Sequence, residues 1–217
     1  VSGISVSLSS DGQTVAIGAR YNDGNGADAG HVRIYENIAG VWSQLGGDID
    51  GEAADDQSGF SVSLSSDGNT IAIGAYFNDG NGSNAGHVRI YENTSGSWSQ
   101  VGQDIDGEAA GDVSGISVSL SSDGNRVAIG AQYNDGNGYY SGHVRIYENN
   151  GGFWYQIGQD IDGEAVNDLS GLSGWSVSLS SDGNTVAIGA PYNDGNGSNA
   201  GHVRIYENTG GSWSQIG

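Results

Sequence analysis

The string GHVRIYEN occurs four times, with its histidine at His31, His87, His143 and His202. Consecutive copies lie 56, 56 and 59 residues apart. A chain that repeats itself at this period folds as stacked equivalent units, because one unit alone cannot bury its apolar surface. The three additional residues fall around Gly171 to Trp175, where the fourth copy reads SGLSGWS and the others read SGIS or SGFS.

The second copy shows how each unit is built. Phe60 to Ser65 alternates apolar residues with serine and ends in Ser66-Asp67-Gly68-Asn69, a strand followed by a hairpin turn whose glycine accepts positive φ. Thr70 to Ala75 is almost wholly apolar, as expected of a strand covered on both faces. A glycine-rich loop, Asn78 to Gly86, leads to His87 to Glu92, where Val88 and Ile90 share one face and His87, Arg89 and Tyr91 the other. Asn93 to Ser97 turns the chain into a last strand, Trp98 to Gly102, and an acidic segment, Asp104 to Asp112, follows. No helical period is present.

Four antiparallel strands in a unit of this length predict an all-β fold, a β-propeller of four-stranded antiparallel blades with four blades per chain. A linear β-solenoid is the competing architecture, but its coils are usually shorter. The blades are expected at 1–47, 57–103, 113–159 and 172–217, joined by acidic linkers at 48–56, 104–112 and 160–171. Four blades either close as a steeply wedged ring or supply half of a larger one, with two chains completing it.

Composition then limits the partners. There are 26 acidic residues against 6 basic ones, all arginine, for a formal charge of −20. Such a surface repels phosphate backbones and anionic membranes and attracts cations. No apolar run approaches the about 20 residues of a membrane span, and cysteine is absent, so no disulfide framework or thiol chemistry is expected. The chain starts at Val1 with no signal-like apolar segment, as expected of a processed form or a piece of a longer chain.

Each copy also carries SG-aromatic/aliphatic-S-V near its start and VAIGA-x-Y/F-ND or its close variant further on; in the fourth this reads Ile188-Gly189-Ala190-Pro191. The pattern resembles the FG-GAP repeat of integrin α-subunit propellers and of many bacterial surface proteins. That resemblance implies a β-propeller, an outer-surface location, calcium-loaded loops and a role in adhesion or recognition. Two departures qualify it. Arg20, Tyr76 and Gln132 replace proline in the first three copies. The interval that holds calcium in integrin repeats is here only the SSDGN hairpin, too short for a cage.

A different segment has metal-ligand spacing. Asp104, Asp106, Glu108 and Asp112 alternate along DIDGEAAGD, repeated at Asp48, Asp50, Glu52 and Asp56 and at Asp160, Asp162, Glu164 and Asp168. Alternating carboxylates on a turning loop can direct several oxygens onto a hard cation, so calcium is expected here; the other reading is solvated acids, with Asp112 capping a turn. A weaker candidate is the glycine-rich loop with Asp23 and Asn25, Asp79 and Asn81, Asp135 and Asn137, and Asp194 and Asn196, which ordinary Asx turns explain without metal. In an up-and-down blade both segments lie on one rim, the face expected to meet a protein or glycan ligand.

Arg33, Arg89, Arg145 and Arg204 recur once per unit, as packing residues do, and are read as interblade anchors, as are Trp42, Trp98, Trp154 and Trp213. Trp175 occurs once. Histidine appears only in the repeated strand, and no nucleophile-elbow or zincin string occurs. Because identical copies do not give an acid and a base different environments, the chain is expected not to be an enzyme. The functional expectation is an extracellular or cell-surface, calcium-stabilised module for adhesion or scaffolding. A multivalent lectin and a self-assembling subunit are the alternatives.

Overall fold

The computed structural model describes residues 2–164 and 173–217, and the described residues form strands and turns without a helix. The first blade comprises β1 (Ser5–Leu8), β2 (Thr14–Ala19), β3 (His31–Ile38) and β4 (Val41–Gln44), with β5 (Ile49–Asp50) added to the edge of β3. The second has β6 (Ser61–Leu64), β7 (Thr70–Ala75), β8 (His87–Thr94), β9 (Ser97–Gln100) and β10 (Ile105–Asp106). The third has β11 (Ser117–Leu120), β12 (Arg126–Ala131), β13 (His143–Asn150), β14 (Phe153–Gln156) and β15 (Ile161–Asp162). The fourth has β16 (Ser176–Leu179), β17 (Thr185–Ala190), β18 (His202–Thr209) and β19 (Ser212–Gln215). All pairings between these strands are antiparallel. The fold is an all-β propeller of four-stranded blades.

The linkers are not wholly loop. After β4 the chain leaves the edge of β3 and returns two residues at a time, so that Val32 faces Ile49 and His31 faces Asp50; the second and third blades repeat this. The outer strand is therefore split, its second half being the start of the acidic linker. The serine-aspartate turns between the first two strands are four-residue loops: Ser65 N–H donates to Thr70 O, and Gly68, at φ +72°, donates to Ser65 O.

The core lies between blades, as period-two strands with two covered faces require. Each seam joins the later face of one blade to the earlier face of the next. Ala72, Val88, Ile90 and Ile105 of the second blade pack on Val118, Leu120, Val127, Ile129, Tyr147 and Trp154 of the third. Equivalent sets form the first and third seams. Polar pins repeat with them. Ser5, Ser61 and Ser117 donate to the carbonyls of Gly59, Gly115 and Gly174 at 2.7–2.8 Å. The amides of Leu64, Leu120 and Leu179 donate to the hydroxyls of Ser7, Ser63 and Ser119 at 2.9–3.0 Å.

Candidate functional site

The histidine that opens the third strand of each blade stands where three segments meet. Its own blade's linker brings aspartates beside it through the pairing with β5, β10 or β15, and the preceding linker sends a glutamate across the seam. His87 Nδ1 lies 3.9 Å from Glu52 Oε2 and 3.8 Å from Asp104 Oδ2. His143 Nδ1 lies 3.8 Å from both Glu108 Oε2 and Asp160 Oδ2. In the first blade, His31 Nδ1 is 3.5 Å from Asp48 Oδ2 and 3.9 Å from Asp50 Oδ1. Within each trio one donor atom per residue lies within 4.8 Å of the others. In the fourth blade His202 stands 3.8 Å from Glu164.

Neighbouring groups aim these carboxylates. Gln100 Nε2 donates to Asp104 Oδ1 at 2.6 Å and Gln156 Nε2 to Asp160 Oδ1 at 2.5 Å, leaving each Oδ2 turned to the imidazole. Arg89 Nη1 holds Glu52 Oε1 at 3.3 Å and Arg145 Nη1 holds Glu108 Oε1 at 3.5 Å, leaving each Oε2 for the histidine; Asn134 Nδ2 also approaches Glu108 Oε2 at 3.5 Å. The His143 ring is buried, and neither of its nitrogens has a hydrogen-bond partner.

Burial, reinforced by the Arg89 and Arg145 guanidinium groups, pushes His87 and His143 down to about 4 against the upward pull of the nearby aspartates. His31 is lowered for the same reasons. At neutral pH these rings are uncharged and offer lone pairs, the protonation state that a metal ligand requires. Burial raises Asp106 and Asp162, with help from Asp104 and Asp160 beside them.

The four acids of one linker are thus divided between places instead of sharing one cage. Asp48 and Asp50 stay with the histidine of their own blade, and Glu52 crosses to the next. Asp56 and Asp112 are buried and already engaged, each accepting from the linker backbone (Ala53 or Ala109) and from Asn78 or Asn134 at 3.0–3.1 Å. Asp168 lies outside the described residues.

The glycine-rich loops carry structural bonds. Asp23, Asp79, Asp135 and Asp194 each accept from the amide five residues on. Asn25, Asn81 and Asn137 donate to the carbonyls of Gly51, Gly107 and Gly163 at 2.7–2.8 Å, tying loop to linker along one rim. Asn196 sits in the corresponding loop and is exposed.

Arg89, Arg145 and Arg204 reach back across the seam to the carbonyls of Asp50, Asp106 and Asp162 at 2.8–3.0 Å. Arg33, with no blade before it, turns instead to Asp48, with Nη2–Oδ2 at 2.8 Å. Trp98, Trp154 and Trp213 pack in the seams, whereas Trp42 is 47% exposed. Trp175 meets Tyr192 edge to face.

In the sequence the histidines stand out only as part of the repeated strand, and no motif there joined them to the acidic linkers. The signal that could have done so is a constant interval: His31 and Asp48, His87 and Asp104, and His143 and Asp160 are each 17 residues apart, the reach of one hairpin.

The FG-GAP repeat family model matches residues 49–91 and 171–206. Two stretches of the chain, together about a third of it, are similar to FG-GAP repeats. The first matched stretch runs from β5 across a seam into β8, so the matched unit straddles the joint between blades. No curated protein matches the sequence. Among solved structures, the chain is similar to the periplasmic gluconolactonase of Pseudomonas aeruginosa (TM-score 0.64, 18% identity), covering 98% of this chain and 56% of that one. It is also similar to a putative 6-phosphogluconolactonase from Bacteroides uniformis (TM-score 0.54, 14% identity, 99% of this chain and 71% of that one). Hydrazine synthase of Kuenenia stuttgartiensis gives a TM-score of 0.56 at 13% identity, with 98% and 53% covered. The chain therefore spans about half to seven-tenths of these neighbours' lengths, and at such identities the likeness is one of fold.

These neighbours correct one expectation. Two of them are named as lactonases, so a chain of this fold cannot be set aside as a non-enzyme. The physical premise behind that expectation fails as well. Identical copies do not have identical surroundings here: Arg33 pairs within its blade while Arg89 and Arg145 pair across seams, and the His202 side chain is 25% exposed against 1% for His143.

Proposed function

We propose that this chain is a secreted or cell-surface recognition module in which divalent cations stiffen the seams and the acidic rim meets a protein or glycan ligand. One observation carries the reading: Glu108, His143 and Asp160 bring three lone-pair atoms within 4.8 Å of one another, and the buried imidazole has no hydrogen-bond partner. A neutral imidazole and two carboxylates so arranged can share one cation, which would add to the charge that Arg145 already offsets on Glu108. Glu52, His87 and Asp104 repeat the arrangement, as do His31, Asp48 and Asp50.

The donor set bears on the choice of ion. Calcium takes six to eight oxygens and would have to complete its shell here with water. One imidazole nitrogen with two carboxylates suits a transition-series ion such as zinc better, and the glutamine and arginine that hold the far carboxylate oxygens keep the near ones aimed at the ion. Any such ion also relieves the self-repulsion of a chain with formal charge −20. The same charge disfavours nucleic acid as a partner. The linkers and the glycine-rich loops share one rim, so cations there stiffen the surface richest in acidic groups, which is why the ligand is placed on it. A multivalent lectin, with one sugar site per seam, is the narrower form of this reading.

The test is adhesion. Beads coated with the chain are applied to a glycan array and to a panel of extracellular matrix proteins, in zinc, in calcium or in chelator. Retention that needs a cation and weakens in Glu108→Gln supports the proposal. Beads that behave as uncoated beads in every arm contradict it. Hydrolysis of gluconolactone is followed in parallel; turnover without adhesion would replace recognition with catalysis as the role of this rim.

A further inference from the structure

The first and last blades each leave one face uncovered, and these two faces are the two halves of the seam that the chain builds three times internally. On the fourth blade, Val203 is 66% and Ile205 41% exposed, whereas their counterparts Val88, Ile90, Val144 and Ile146 are buried under the following blade. On the first blade, Val6 is 65%, Leu8 58% and Trp42 47% exposed, whereas Leu120, Leu179, Trp154 and Trp213 are buried against the preceding blade. Apolar strand faces of this kind stay out of water in a stable assembly.

We infer that the last blade of one copy packs on the first blade of a second copy, two copies closing one eight-bladed ring. Each internal pin has its unmade equivalent at these ends. Trp98, Trp154 and Trp213 donate Nε1–H to the carbonyls of Leu45, Val101 and Ile157 at 2.9 Å. Trp42 takes Ile216 of the second copy as the matching acceptor. Ile216 is already set for it, since its amide bonds Ile205 O at 2.9 Å as the amides of Leu45, Val101 and Ile157 bond Ile34, Ile90 and Ile146. The exposed Ser178 hydroxyl meets the amide of Leu8 as Ser119 meets Leu179, and Ser176 reaches Gly3 O as Ser117 reaches Gly174 O.

The faces are complementary because they are the same joint, one head and one tail. A head-to-tail contact either closes or propagates. Closure by two copies is favoured by length: nearly the whole chain superposes on 56%, 71% and 53% of three neighbours' chains, so one copy supplies about half to seven-tenths of such a chain. This assembly does not depend on cation binding or on any ligand.

Light scattering across a wide concentration range, together with oxidation of the pair Leu8→Cys and Ser178→Cys, tests it. The chain has no cysteine of its own, and both positions are exposed, so the substitutions leave each blade's fold in place. The expected result is twice the single-chain mass, a disulfide joining two copies, and return to a single-chain mass with Val203→Asp. A single-chain mass at every concentration, a disulfide formed only within one copy, or a mass that climbs without limit would each overturn it.

Discussion

The indole of Trp98 in the second blade donates its N–H to the backbone carbonyl of Leu45 in the first, at 2.9 Å. Trp154 and Trp213 make the same bond to Val101 and Ile157 in the next two seams. One side chain thereby closes the outer edge of a seam and satisfies a carbonyl at the point where the split outer strand leaves its neighbour. Burial of the ring and the hydrogen bond act together, which is the usual reason for tryptophan at a position that is apolar on one side only.

Trp154→Ala removes a large buried ring and leaves the Val101 carbonyl without that partner. The expected cost is about 3–5 kcal/mol, the usual range for truncating a buried aromatic. Trp42→Ala, at an open face, should cost the single chain less than about 1 kcal/mol. Urea unfolding of the two variants, at concentrations where the chain is monomeric, checks the contrast; equal losses would refute the assignment of these residues to the seam.

Glycine is required where backbones of successive blades touch. A Cβ on Gly74 would lie 2.1 Å from the carbonyl oxygen of Gly115 and 2.4 Å from the Ser61 hydroxyl. On Gly189 it would meet only the Ser176 hydroxyl closely. Gly74→Ala should therefore force the seam apart at a cost of about 3 kcal/mol, while Gly189→Ala should change monomer stability by less than about 1 kcal/mol. Thermal melts read the difference directly.

His87 and His143 titrate at about 4 in the folded chain, against about 6.5 unfolded. The unfolded chain thus binds more protons between those values, and stability contributed by the neutral rings is whole above pH 6.5 and drains away as pH falls toward 4. In chelator, the wild-type urea midpoint should drop steeply across that window. His143→Gln should flatten the decline, and an unchanged slope would mean that this ring does not drive it.

The repeat, the four strands of each unit and the sharing of the core between units were legible because period-two alternation and serine-aspartate-glycine turns are local signals. Thr70 to Ala75 was bounded as the structure has it. The third strand runs on to Thr94, past the expected Glu92, because a turn residue in sequence can still pair when the next strand starts at Ser97. The candidate site was half legible. Linker acids have ligand spacing whatever the fold, but Glu52 and Asp104 meet at His87 only because one linker crosses a seam and another returns along β8. That meeting depends on register and stacking, which spacing along one linker does not encode. The different pairing of Arg33 was invisible for the same reason, since its sequence surroundings match those of Arg89.

The seam as a cation site is tested most directly by metal analysis after equilibrium dialysis against zinc and, separately, calcium. Wild type should retain metal, with zinc held more tightly. Glu108→Gln and Asp160→Asn should each lose the ion bound between the second and third blades while the other trios keep theirs. Wild-type chain that retains no metal beyond buffer background, or variants that bind as much as wild type, would contradict it.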